Sequence, residues 1–463
     1  MGVKVLGEGE YHLHKTIFFL LSLFILTLSS SVSADSYSNP TDHVPRSPEW
    51  ARTSVIYQVY LRDFSPQGKL HNLENDILRI KNLGVNCIDL LPIHPTGSAP
   101  AGRSASPMNV KDFSAVSLEY GTKDGLKSLV EQAHFDEMKV ILDWICDRAS
   151  AENPLVKSHP DWFAPASGAG DQNTVPFDYH SKDLRKFVKD SLTGWLKDSG
   201  LDGFHFLGSS AFPADFLKEV RSEISTVKPS AVLFVDENIP QASSSYHLTE
   251  DLDFYSAVSS VTMGQAPASQ IEAILDQDAK RNSAWPIPVR FIENFRTPRA
   301  AKIFGAGATT AAALLLTLDG VPLILSGQEI AETKQTSLLD KDAIDWSDGL
   351  KKNSETRKTY KKLIGLRGKH LSLGRGQKFI VHAGGAKSVF AFASSYREDA
   401  VLAAFNFSPA EFDREIDLPE IFLSRDGKIN LKGVFVGGNL KQAGPGKAGL
   451  HMPPWGFQVW EIK

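Results

Sequence analysis

Three short runs place ionisable side chains where acid–base work could be done. LDWICDR at residues 142–148 carries Asp143 and Asp147, GLDGFHFLG at 200–208 carries His205, and VLFVDEN at 232–238 carries Asp236 and Glu237. Each run is rich in strand formers, and residues two apart in a strand share a face. Asp143 and Asp147 therefore look the same way. If His205 and Leu207 point into a common mouth, the same alternation turns Leu233, Val235 and Glu237 inward and Asp236 outward. A general acid needs a partner in the complementary protonation state. Glu237 has no obvious one, so its plain reading is an ion-paired carboxylate at a strand end. His205 reads as a hydrogen-bonded core histidine, and no His, Cys and Asp spacing matches a zinc site.

The elements that must position these groups alternate regularly from about Trp50 to Gly368. VIYQVYL precedes a helical pattern over 73–83, NCIDLLPI one over 124–134, KVILDWI one over 182–197, and DGFHFL one over 213–225. Such repetition predicts parallel strands with crossover helices, and eight units would close a barrel. A loop excursion over 147–181, holding several Gly and Pro residues, is placed above the mouth. After Gly368 the pattern becomes one of short alternating strands, at 378–382, 388–393 and 400–405, separated by turn signals such as Gly384-Gly385. The expected division is thus a leader over 1–34, a linker over 35–49, a barrel over 50–368 and a β domain over 369–463.

The chain has 463 residues, 42% hydrophobic and 22% charged, enough for two or three cored domains. A formal charge of −4 gives no basic field for nucleic acid. The two cysteines, Cys87 and Cys146, read as buried free thiols. IFFLLSLFILTL at 17–28, with Lys15 before it and small residues ending Val32-Ser33-Ala34 after it, predicts a cleavable secretory signal. That places the mature body outside the cytoplasm, with membrane attachment only if the segment stays uncleaved as an anchor. No other stretch reads as a membrane span, because Thr310–Leu325 is broken by Asp319, Gly320 and Pro322.

Several segments in order resemble the α-amylase family (glycoside hydrolase family 13). They are Val55–Phe64, LLPIHP at 90–95 with His94, SPMNVKDFSAVSLEYGT at 106–122, the three runs above, RFIENFRTPR at 290–299, and GVPLILSGQ at 320–328. The resemblance implies an α/β fold, a (β/α)8 TIM barrel with a C-terminal antiparallel β-sandwich. Carried over position by position, it keeps Asp143 and sets Glu237 at the general-acid place. Leu207 stands where the family has its nucleophilic aspartate and Arg296 where it has the aspartate that steadies the transition state. The family's sugar-gripping histidines are replaced by Arg148 and Phe295, its arginine by His205, its stacking tyrosine by Met108, and its third-strand asparagine by Asp147. With His94, these residues form the expected substrate pocket.

Leucine cannot form a glycosyl-enzyme intermediate, and arginine opposes a cationic transition state. The expectation from sequence is therefore a secreted family member without retaining glycosidase chemistry, a pseudoenzyme with a carbohydrate-binding or protein-partner role. The alternative is a working α-glucan or oligosaccharide hydrolase in carbohydrate metabolism that uses atypical residues. No cofactor or metal is called for, although the family's calcium would find one chemically capable residue in Asp147. Trp144, Trp162 and Phe163 are sugar platforms or core packing in equal measure. Buried cations need partners, so Arg296 is expected to pair with Glu237 or Asp147.

Overall fold

The computed structural model describes residues 36–37, 47–98, 104–165, 173–280, 286–435 and 439–463. The leader and most of the linker lie outside these residues. Within them, eight strands form a closed parallel barrel in sequence order: β1 Ile56–Val59, β2 Cys87–Leu90, β3 Lys139–Ile145, β4 Gly203–Leu207, β5 Val232–Val235, β6 Leu248–Glu250, β7 Ile287–Arg290 and β8 Val321–Leu325. Their outward faces pack under crossover helices that include α1 Leu70–Lys81, α2 Lys123–Phe135, α3 Lys182–Ser199 and α4 Ala214–Val227. These helices form because apolar residues recur on one side, as in Leu184, Val188, Leu192, Trp195 and Leu196 of α3, all buried. Local chemistry fixes their ends. The Ser181 hydroxyl accepts from Leu184 N at the start of α3, and Gly200, with φ +79°, ends it in a left-handed turn.

Inside the barrel, Ile56, Cys87, Ile141, Val232, Phe234, Leu248, Ile287 and Val289 make a separate apolar core. That core settles the direction of every strand but β4, whose facing follows from its register with β5. On β5 the inward residues are Val232 and Phe234, while Leu233 and Val235 join the outer core with the helices. The sequence reading had β5 the other way round. The β4–β5 register pairs Gly203 with Val232 and His205 with Phe234, so continuing it sets Asp236 beside Leu207. A slip of one residue moves a whole strand's side chains to the other face, and residue types alone do not fix that register.

The excursion over 147–181 is partly ordered: Arg148–Ser150 pairs with Thr174–Pro176 as a small antiparallel ribbon. Beyond the barrel, a six-stranded antiparallel sheet and a three-stranded one enclose a second core that includes Phe379, Leu402, Trp460, Ile416 and Leu450. The other face of the larger sheet, with Phe390, Phe392 and Phe405, packs on the barrel's core. Ser36–Tyr37, inside the expected linker, adds an edge strand to it against Lys378 and Phe379. Contrary to the sequence reading, Ala300–Thr317 is long and apolar enough by composition to cross a membrane. It is 61% buried, and its second half, Ala308–Thr317, lies against helix Ser354–Lys369 and strand Asp399–Asn406. Cys87 and Cys146 are free and buried, as expected.

One carboxyl makes the fold's stability depend on pH. Burial pushes Asp63 up to about 7, against the pull of Arg299 and a Thr336 hydrogen bond. The folded chain thus holds a proton that the unfolded chain releases near pH 4, so stability falls as pH rises from about 4 to 7. Asp63→Asn is expected to stabilise the protein at pH 8 by on the order of 2 kcal/mol, and to leave pH 4 stability nearly unchanged. Urea unfolding at the two pH values checks this.

Candidate active site

At the C-terminal ends of β5 and β6 the barrel opens into a depression of about 210 Å³, lined by Asp236, Glu237, Asn238, Glu250, Asp251 and Asp253 among others. Asp236 follows directly from the inward row of β5 and is 3% exposed. Each of its oxygens takes two donors. Oδ2 accepts from Gly208 N at 2.9 Å and an Arg296 guanidinium nitrogen at 3.0 Å, and Oδ1 accepts from Ser209 N at 3.0 Å and Ser209 Oγ at 2.7 Å. Burial raises its pKa, but those donors and the arginine outweigh it and hold Asp236 below the ordinary carboxylate range. Glu237 is the next residue as the chain leaves the strand, and its side chain is exposed. No ion pair to Glu237 is found among the described residues.

Arg296 is ion-paired, as charge balance requires, but with Asp236 and Glu250 rather than with Glu237 or Asp147. The reason is the phase of β5, which turns Asp236 in, together with Glu250 at the end of β6. Burial raises the Glu250 carboxyl, and Arg296 and His205 pull it back only in part. The Arg296 guanidinium also lies 5.2 Å from the centre of the Phe295 ring. Phe295 is itself buried, and its backbone N–H donates to Gln58 Oε1 at 3.1 Å.

The remaining expected pocket residues separate. Leu207 is 4% exposed and belongs to the core. Asp143 and His205 lie beneath the mouth, wholly buried, with Oδ1 of Asp143 3.1 Å from Nδ1 of His205. Burial opposes charge on that imidazole, and Asp89 with Asp143 outweighs it, so His205 titrates above its ordinary range. Asp147 and Arg148 stand on the rim and pair with each other, with Arg148 Nε 2.8 Å from Asp147 Oδ2. Gly208, at φ +72°, makes room for this: a Cβ there would stand 2.6 Å from Cγ of Asp147. Met108 is half-buried against the core.

His94 is not a pocket residue. It is 1% exposed, Phe113, Trp144 and Trp195 box it in, and burial lowers it to about 4, so it stays neutral. Trp144 and Trp162 are likewise buried core residues, and Phe163 stacks on Phe177. Two site residues escaped sequence reasoning, Asp89 and Glu250, because each comes from a strand whose neighbours in space are far away in sequence. Among the described residues, the group of His, Cys, Asp and Glu near enough to share an ion is Asp89, Asp143 and His205. Asp147 is outside it, and its Oδ2 is engaged by Arg148.

A model of the alpha-amylase catalytic domain matches residues 58–174. The chain is thus similar to the alpha-amylase family, over that span by the family model and over most of its length by its relatives. It is 21% identical over 470 residues to Alpha-amylase 3 of Dictyoglomus thermophilum, covering 84% of this chain and 92% of that one. It is 25% identical over 307 residues to Alpha-amylase MalA of Haloarcula japonica, covering 62% of this chain and 45% of the relative. In structure it is similar to the noncanonic maltogenic alpha-amylase AmyB from Thermotoga neapolitana, with a TM-score of 0.79 at 22% identity over 89% of this chain and 98% of that one. It is also similar to the alpha-amylase of Geobacillus thermoleovorans, solved in complex with acarbose, with a TM-score of 0.78 at 20% identity over 89% and 99%. The likeness of fold agrees with the expected barrel and C-terminal β-sheets.

These comparisons correct the functional expectation drawn from the sequence. An inactive family member with a binding or partner role does not stand beside relatives named as amylases over most of the chain's length. The same relatives count against reading the chain as a pseudoenzyme.

Proposed function

We propose that this alpha-amylase-like chain is a hydrolase of α-glucosidic bonds in α-glucans or oligosaccharides, working with carboxyl groups other than the family's nucleophile. The observation that carries this reading is that two adjacent carboxyls, Asp236 and Glu237, line one open depression in opposite environments. Unequal environments are how a site assigns unequal protonation tasks to two carboxyls. Asp236 is buried, saturated with donors and held ionised, so it suits a fixed negative charge beside an oxocarbenium-like centre. Its low basicity fits it poorly for taking a proton. Glu237 stands beside it at the opening, where the resemblance sets the general acid, and would donate the proton to the departing glycosidic oxygen. Water then completes the hydrolysis: the bond from the anomeric carbon to the leaving oxygen breaks, water supplies the new hydroxyl, and its released proton passes to Glu237.

The names of the relatives and the acarbose complex of a structural neighbour support a carbohydrate as the ligand. The reading is tested by incubating the purified chain with maltoheptaose and measuring released reducing ends. Turnover that falls in Glu237→Gln by about 10² or more is the expected result. Turnover equal in the parent and in Glu237→Gln contradicts the assignment.

A further inference from the structure

The barrel interior holds a polar group that this hydrolysis does not use. Asp89 of β2, Asp143 of β3 and His205 of β4 have side chains with no exposure to solvent. Nδ1 of His205 lies 3.1 Å from Oδ2 of Asp89 and 3.1 Å from Oδ1 of Asp143. A ring nitrogen carries at most one proton, and its hydrogen bond goes to Asp89. Neither oxygen of Asp143 has a well-aligned donor, nor does Oδ1 of Asp89, and burial beside Asp89 pushes the Asp143 carboxyl well above the ordinary carboxylate range, toward its protonated form, in the absence of an ion. Burying carboxylate oxygens without donors is costly, and the cost recurs here on two neighbouring strands.

A cation would relieve it. The three groups offer one nitrogen and two oxygens within 4.8 Å of one another. Donors 3.1 Å apart subtend roughly a right angle at an ion about 2.1 Å from each. The surroundings also act as the outer partners of a metal site do. Gln58 Nε2 donates to Asp89 Oδ2 at 2.9 Å and fixes that carboxylate. The Phe234 ring stacks on the imidazole at 3.7 Å and fixes its plane. Oε1 of Glu250 accepts no hydrogen bond and lies 3.5 Å from Nε2. An imidazole that ligates through Nδ1 needs an acceptor there for its other N–H.

We propose that Asp89, Asp143 and His205 bind one divalent ion of the zinc class inside the barrel, one layer below the Asp236–Arg296–Glu250 contact. An imidazole with two carboxylates suits zinc and its first-row neighbours better than calcium, which takes six to eight oxygens. The ion ties β2, β3 and β4 together, and through His205 and Glu250 it reaches β6. Its role is to hold the floor of the mouth, away from the substrate.

The test uses the full chain, stripped with a chelator and dialysed against zinc chloride. The expected result is one zinc per chain by elemental analysis and a rise in Tm of about 3 °C or more at a hundredfold excess over Kd. His205→Gln and Asp143→Asn, shown to be folded by circular dichroism, should each bind at least about tenfold more weakly. Should those variants fail to fold, cobalt(II) added to the parent chain gives the same information, because a visible band marks coordination by the protein. A parent chain that retains no zinc and gives no cobalt band, or a folded His205→Gln variant with parental zinc affinity, overturns the proposal. None of these readouts involves hydrolysis, so they stand or fall apart from the proposed activity.

Discussion

Asp236→Asn is expected to lower kcat on maltoheptaose by about 10²–10³ while leaving the fold intact. The change keeps the side chain's shape and removes its charge. What is lost is the fixed negative charge beside the developing positive centre, a loss of transition-state stabilisation rather than of substrate binding, so kcat should fall more than KM rises. The variant also loses an ion pair, since Arg296 keeps only Glu250 as a charged partner. Circular dichroism and urea unfolding separate that structural effect from the kinetic one. Steady-state kinetics showing a raised KM and an unchanged kcat would place Asp236 in substrate binding instead.

The second large effect is on stability, and it comes from the first residue of the decapeptide that carries Arg296. Arg290, at the end of β7, is completely buried. Its Nε lies 3.2 Å from Asp251, a second nitrogen 2.8 Å from Asp319, and a third reaches Asp278. Asp251 also caps the helix Leu252–Thr262 by accepting from Phe254 N at 3.0 Å. One guanidinium thus ties β7 to the β6 exit, to the helix Ser269–Lys280 and to the segment before β8. Arg290→Met keeps the apolar stem and strands three carboxylates without their cation. The expected cost is about 3–5 kcal/mol, the range for removing one partner of a buried charge cluster. Equilibrium unfolding measures it, and a loss below about 1 kcal/mol would mean that water replaces the arginine.

The barrel was legible because its strands and helices differ in period. KVILDWI and the 182–197 pattern fall within a few residues of β3 and α3, and the short alternating runs after Gly368 become sheet strands. The site was legible only in part. Arg296 announces a need for carboxylates, but which ones depends on register, and the register of β4 against β5 turned Asp236 inward against the sequence reading. Glu250 went unnoticed because β6 is only three residues long, too short for alternation to show. Asp89 sits in an apolar run, and it joins Asp143 and His205 only when the barrel closes. His94 was misplaced because its motif lies near the mouth in sequence order, whereas its side chain is boxed in by Phe113, Trp144 and Trp195.

The central claim is that Asp236 and Glu237 divide the work of breaking an α-glucosidic bond, and a change of leaving group tests it directly. Fluoride departs without protonation, so α-glucosyl fluoride needs the charge of Asp236 but not the proton of Glu237. The account predicts that Glu237→Gln, slow on maltoheptaose, recovers to within about tenfold of the parent on the fluoride, and that Asp236→Asn stays slow on both. A parent chain that turns over neither substrate, or an Asp236→Asn variant that matches the parent on the fluoride, contradicts it.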